Sequence, residues 1–218
     1  MLEELNQLQR FSVWILPVIF AITVHEVAHG WVAKRLGDPT AERLGRLTLN
    51  PIKHIDPIGT ILVPGVLLLL GGFIFGWAKP VPVTWENLRH PRRDMALVAA
   101  AGPGVNLLMA ILWAGAMKGA LMLPPDLSWF ATPMAYMGLA GISINVILMV
   151  LNLLPVPPLD GGRVAAGLLP GPWAYQLGRL EPYGFFILLA LLVTGLLGQL
   201  LGPPVTLIER GLFAMVGA

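Results

Sequence analysis

The chain has 218 residues, of which 56% are hydrophobic and only 12% charged. Soluble domains carry roughly a quarter charged residues, so a free cytoplasmic globule is excluded. The mean hydropathy of +0.75 agrees: the chain reads as one integral-membrane unit, residues 1–218, long enough for about six crossings of ~20 residues. With no cysteine there is no disulfide framework, no Cys-ligated zinc and no thiol nucleophile. The pI is 9.2, but a net charge of +2 is too small to argue for nucleic acid as a partner.

In chain order, the apolar runs Phe11 to Leu36, Met95 to Leu123, Pro133 to Leu154 and Tyr183 to Leu201 predict four full crossings. The first does not read as a secretory signal. Glu3 and Glu4 precede it, and polar residues stand inside it where a cleavage site would be needed. A fifth run, Ile58 to Trp77, has the length of a crossing but contains Pro64-Gly65 and Gly71-Gly72, which weaken a continuous helix. Nine of the fourteen Lys and Arg lie between Lys34 and Asp94, on both sides of that run. A true crossing would place one basic cluster outside, against the positive-inside rule. A re-entrant hairpin keeps both in the cytoplasm and puts the N-terminus outside. The loop 124–132, with Asp126 and no cation, then faces out. The loop 155–182, with Arg163 and Arg179, faces in.

Two short stretches of the basic segment, Arg46 to Asn50 and Val81 to Val83, are expected as small cytoplasmic strand elements. The tail after Pro203 is expected as an interfacial helix with Glu209 and Arg210 at its wet edge. The predicted fold is thus an all-α polytopic membrane protein: about four transmembrane helices, a re-entrant hairpin and these minor elements.

Chemistry concentrates in the first span, at His25-Glu26-Val27-Ala28-His29. Ionisable residues inside a membrane helix are costly and mark a functional site by default. Positions i and i+4 share a helix face about 5–6 Å apart, so two imidazoles can reach one metal ion. Glu26 flanks them, placed to take a proton from water activated there. The plain alternative, a polar helix–helix contact, leaves three such residues unexplained.

A catalytic zinc needs a third protein ligand and an open position. His54 and His90 sit in the basic stretch and read as solvated loop residues. Asp160 is the better candidate. It follows a proline-ended apolar helix at Leu159-Asp160-Gly161-Gly162, and unwound backbone at membrane depth is tolerated only where it lines a cavity or is buried in protein. An Asp before Gly-Gly is ordinarily a turn residue; beside an orphan His pair that reading loses its advantage. Asn145 and Asn152 are seven apart on one apolar helix, and Asn145 reads as an interhelical hydrogen bond.

At these residues the chain resembles the site-2 protease family of intramembrane zinc metalloproteases, most nearly its short bacterial members without PDZ or CBS domains. The likeness rests on His25-Glu26-x-x-His29, on Gly102-Pro103-x-x-Asn106 and on Asn152 through Gly162. The resemblance implies one zinc per chain held by His25, His29 and Asp160, with Glu26 as general base. It implies that Asn152 holds substrate or the oxyanion, and that Asn106 supports the site without touching metal. It further implies a membrane-protein substrate cut in or near a transmembrane helix, and residence in a bacterial plasma membrane with the segment 34–94 cytoplasmic. One of the two short extended stretches is expected to pair with the unwound substrate. The competing readings are a metal-ion transporter, which would be expected to carry internal repeats that this chain lacks, and a non-proteolytic membrane scaffold. No pattern in the chain specifies an oligomeric state.

Overall fold

A computed structural model describes residues 6–62 and 78–217. The described residues are helical or irregular, with no strand among them. The first helix, α1 (Gln7–Arg35), starts at a reciprocal cap: Asn6 Oδ1 accepts from the Gln9 amide at 2.9 Å, and Gln9 Oε1 accepts from the Asn6 amide at 3.0 Å. Lys34 and Arg35 in its last turn complement the helix dipole. It ends where Gly37 adopts φ +115°, a conformation that costs glycine least. A single turn, α2 (Thr40–Arg43), follows.

Next come α3 (Pro91–Leu121) and α4 (Ser128–Asn152). The short α5 (Asp160–Leu168) and α6 (Gly171–Gly178) precede α7 (Gly184–Val193) and α8 (Leu196–Val216). Helix α3 is the centre of the bundle and packs along α1, α4, α5 and α8. Its seam with α4 joins Ala110, Ala114 and Met117 to Ile142, Val146, Met149 and Val150. Between helices in lipid the driving force is close packing, which small residues permit. Gly141 shows how tight the seam is: a Cβ there would lie 2.3 Å from the Trp113 ring. Outward, α1 and α3 expose Phe11, Phe20, Leu108 and Leu112, a surface suited to lipid.

Among the described residues, four segments are long and apolar enough to cross a membrane: Gln7–Arg35, Pro91–Leu121, Pro125–Asn152 and Gly171–Val193. The first three match the sequence expectation with shifted ends. The fourth does not. The run from Tyr183 to Leu201 is broken at Gly195, which takes φ +75° and caps α8, so the apolar segment is assembled from α6, a turn at Glu181–Tyr183 and α7. The C-terminal tail is helical, the second half of α8, and its Leu212 and Val216 join the α3–α4 core.

The strand expectation for 46–50 and 81–83 is corrected too. In the first stretch, the Thr48 and Asn50 side chains accept from the amides of Asn50 and Ile52, making turns. In the second, Pro80 and Pro82 supply no N–H for a ladder. Most of the expected re-entrant run, 63–77, lies outside the described residues; what is described of it begins as a π-helical turn, Pro57–Leu62.

Candidate metal centre

Two helix stripes face each other at the centre of the bundle. On α1, Ala21, His25 and His29 recur every four residues; on α3, Val98, Gly102 and Asn106 do the same. The stripes pair in opposite directions. His25 Nδ1 lies 2.5 Å from Asn106 Oδ1, and His29 Nδ1 lies 2.7 Å from the Val98 carbonyl oxygen. The Val98 carbonyl can only accept, so His29 must donate from Nδ1. In the neutral ring its Nε2 then keeps a lone pair, the form a metal needs.

Between these contacts stands Gly102. A Cβ on it would lie 2.5 Å from His29 Nε2 and 2.6 Å from His25 Nε2. The glycine therefore gives the site a floor of bare backbone, and any side chain would fill the space the imidazole nitrogens face.

Asp160 closes the site from α5. Its position depends on its neighbours in sequence: a Cβ on Gly161 would stand 2.3 Å from the Leu153 carbonyl oxygen, and one on Gly162 2.5 Å from Pro157 N. Two glycines let the first turn of α5 press onto the proline-rich loop, bringing the carboxylate inward. Asp160 Oδ2 lies 3.2 Å from His25 Nε2 and 3.3 Å from His29 Nε2, and the two Nε2 atoms are 3.0 Å apart. Donor atoms bonded to a tetrahedral zinc at about 2.0 Å stand about 3.3 Å from one another. All three residues are buried, and Asp160 Oδ2 has no hydrogen-bond partner. A buried carboxylate oxygen without a donor is costly. Here it shares a point with two nitrogen lone pairs, so the donor set and its spacing fit a zinc ion with three protein ligands.

The remaining sequence candidates fall in different places. Glu26 is half-buried, and its Oε2 accepts from the Val81 amide at 2.7 Å. That contact depends on Gly30, one turn further on, where a Cβ would lie 2.8 Å from the Val81 side chain. Asn152 is the last residue of α4 and donates through Nδ2 to the Leu148 carbonyl at 2.9 Å, not to the cluster. Asn106 touches His25, and Asn145 accepts from Asn106 Nδ2 at 2.8 Å across the α3–α4 seam, the interhelical bond expected of it.

His90 is exposed, as expected of a loop residue. His54 is not: it is 3% exposed, with Nε2 2.9 Å from the Thr48 carbonyl oxygen. A basic neighbourhood suggested solvent, and a turn folding back over the ring overrode it. The contributions of the Val98 carbonyl and the Val81 amide carry no sequence signal, since backbone atoms are common to all residues. Gly102 did carry one, through the Gly-Pro-x-x-Asn element.

The chain has similar known proteins. The chain is 41% identical over 192 residues to YwhC of Bacillus subtilis (strain 168), which bears a zinc-metalloprotease name; the match covers 87% of this chain and 84% of that protein. The chain belongs to the site-2 protease family. Another similar protein, Rip2 of Mycolicibacterium smegmatis, carries the same kind of name and is 31% identical over 201 residues, 90% of this chain and 74% of Rip2. Protease RseP of Yersinia pestis is 28% identical over 79% of this chain but only 40% of its own length. No family model and no solved structure matches the chain.

Proposed function

We propose that the chain hydrolyses peptide bonds in or near transmembrane helices of membrane-protein substrates, with one zinc ion per chain held by His25, His29 and Asp160. The observation that carries this reading is the convergence of His25 Nε2, His29 Nε2 and the unpartnered Asp160 Oδ2 on one buried point. Zinc, when bound there, supplies a Lewis acid able to polarise a carbonyl and to lower the pKa of water from about 16 towards 7.

The chain's own groups do the rest. Glu26 holds one carboxylate oxygen against the Val81 amide, which leaves the other to accept a proton from attacking water and return it to the leaving amine. Asn152, eight residues before Asp160, is the proposed hold on the substrate backbone or the developing oxyanion; its Nδ2 exchanges the Leu148 carbonyl for that role. From His25 to the end of α1 at Arg35 is ~15 Å at ~1.5 Å per residue, about half of a ~30 Å hydrocarbon layer. The scissile bond is therefore attacked at membrane depth. The basic segment 34–94 is assigned to the cytoplasmic side of a bacterial plasma membrane by its share of Lys and Arg.

The test is cleavage of a transmembrane-helix substrate by the purified protein, with Glu26→Gln as control. Loss of cleavage with zinc retained supports the protease. Undiminished cleavage by Glu26→Gln removes the base, and zinc flux without cleavage in either protein replaces the whole reading with transport.

A further inference from the structure

Asn106 and Asn145 are both fully buried, in a seam whose other buried side chains are apolar. Burying two amides there is unfavourable unless every donor and acceptor is used, and their bonds run in one direction only. Asn145 Nδ2 donates to the Gly141 carbonyl at 2.8 Å. A carbonyl cannot donate, so Asn145 presents its Oδ1 to α3. That oxygen takes the Asn106 Nδ2 hydrogen at 2.8 Å, and the same nitrogen lies 3.3 Å from the Ala21 carbonyl, another pure acceptor. Asn106 is left with Oδ1 facing His25 Nδ1. An amide oxygen only accepts, so a neutral His25 carries its proton on Nδ1 and keeps Nε2 bare.

We propose that Asn106 and Asn145 are positioning residues that fix the tautomer of His25 through a two-amide relay spanning α4, α3 and α1. The inference rests on the zinc reading of the cluster. The two histidines reach the same state by different routes: His29 from a single peptide carbonyl, His25 from a side-chain relay whose sense is set on α4. With Asn106 free to turn its NH₂ towards the ring, the other tautomer would be favoured and its Nε2–H would point at the metal position. Outer-shell partners of this kind are worth roughly 10–100-fold in metal affinity. A residue that merely packs α3 on α4 would change helix stability and leave the ring nitrogens alone.

The experiment uses the full chain in detergent micelles, stripped of metal, with ¹⁵N-labelled histidine. In the wild type, the His25 nitrogens are expected to report a single Nδ1–H form. Asn106→Leu, with the same branching and number of side-chain heavy atoms, is expected to release that preference and to weaken zinc binding about 10–100-fold in competition with a chromophoric chelator. Asn145→Leu is expected to do the same to a smaller degree, because Ala21 still orients Asn106. Asn145→Asp retains an acceptor facing Asn106 and is expected to stay within about threefold of wild type. His29 is unchanged throughout and serves as the internal control. Zinc affinity within twofold of wild type in both Leu variants, with His25 still purely Nδ1–H, overturns the proposal. So does equal loss in Asn145→Leu and Asn145→Asp. Neither readout involves substrate, so a chain that proves to cleave nothing can still obey the relay, and an active protease can still lack it.

Discussion

Two buried carboxylates in this molecule, Asp38 and Asp160, teach opposite lessons. Asp38, just past the end of α1, is fully buried. Its Oδ1 accepts from the Thr40 amide, the Thr40 hydroxyl and Asn87 Nδ2, and its Oδ2 accepts from the Thr84 amide. Every bond comes from the chain itself, and the group ties the end of α1 to the segment that leads into α3. Asp160 is almost as buried, yet its Oδ2 has no donor and faces two imidazole nitrogens. A carboxylate satisfied by its own protein is a fastener; one left short of a donor is free to hold a ligand.

The comparison breaks first at the cluster. His29→Ala or Asp160→Ala is expected to abolish zinc binding and reduce cleavage to background, a larger effect than the roughly 10–100-fold of outer-shell losses; zinc retained at wild-type level in either variant would end the ligand assignment. Glu26→Gln is expected to lower the cleavage rate by about 10²–10⁴-fold with zinc content unchanged by metal analysis. Gly102→Ala puts a methyl group on the floor of the site and is expected to weaken zinc binding by about 10–100-fold, while leaving the helix content unchanged by circular dichroism.

Asp38→Ala should do the reverse. It is expected to cost about 2–4 kcal/mol of stability, since several donors lose a charged acceptor, with the zinc affinity of the folded protein intact. The smallest effect is its pH dependence. Burial raises the Asp38 carboxyl, but bonds from Thr40, Asn87 and Thr84 outweigh it and hold the group below its ordinary 3.8. The ionised form is therefore favoured by folding. Its stabilisation is complete above pH 3.8 and is lost as pH falls through the lower folded value. Thermal melts of wild type and Asp38→Asn should accordingly converge as the pH is taken below 3.8. A gap that stays constant would show that Asp38 is not the group titrating.

Much of the centre was legible in the sequence because its residues are chemically expensive. His25, Glu26 and His29 in an apolar run demand explanation, and helical spacing supplies one. Asp160 was reachable as a carboxylate on unwound chain. What could not be read was contributed by main-chain atoms and by shape: the Val98 carbonyl, the Val81 amide, and the inward packing of α5 that Gly161 and Gly162 permit. In the fold, hydropathy located three spans but ran through Gly195, whose left-handed backbone a hydropathy average cannot see. The expected strands failed at Pro80 and Pro82, where alternation of Val and Pro imitates a strand while removing its donors. His54 misled because charge in neighbouring sequence is a poor guide to burial made by a turn that folds back on the ring.

Because Gly102 carries no side chain, one wall of the centre offers nothing that a substitution can recharge or polarise without obstructing it. Helix α3 can reach the reaction only through a peptide oxygen at Val98 and an amide at Asn106. Adjustment of the chemistry then falls to the other elements at the centre, α1, α5 and the 145–152 end of α4, and two proteins of this kind with different reactivities should differ there while keeping the same bare wall.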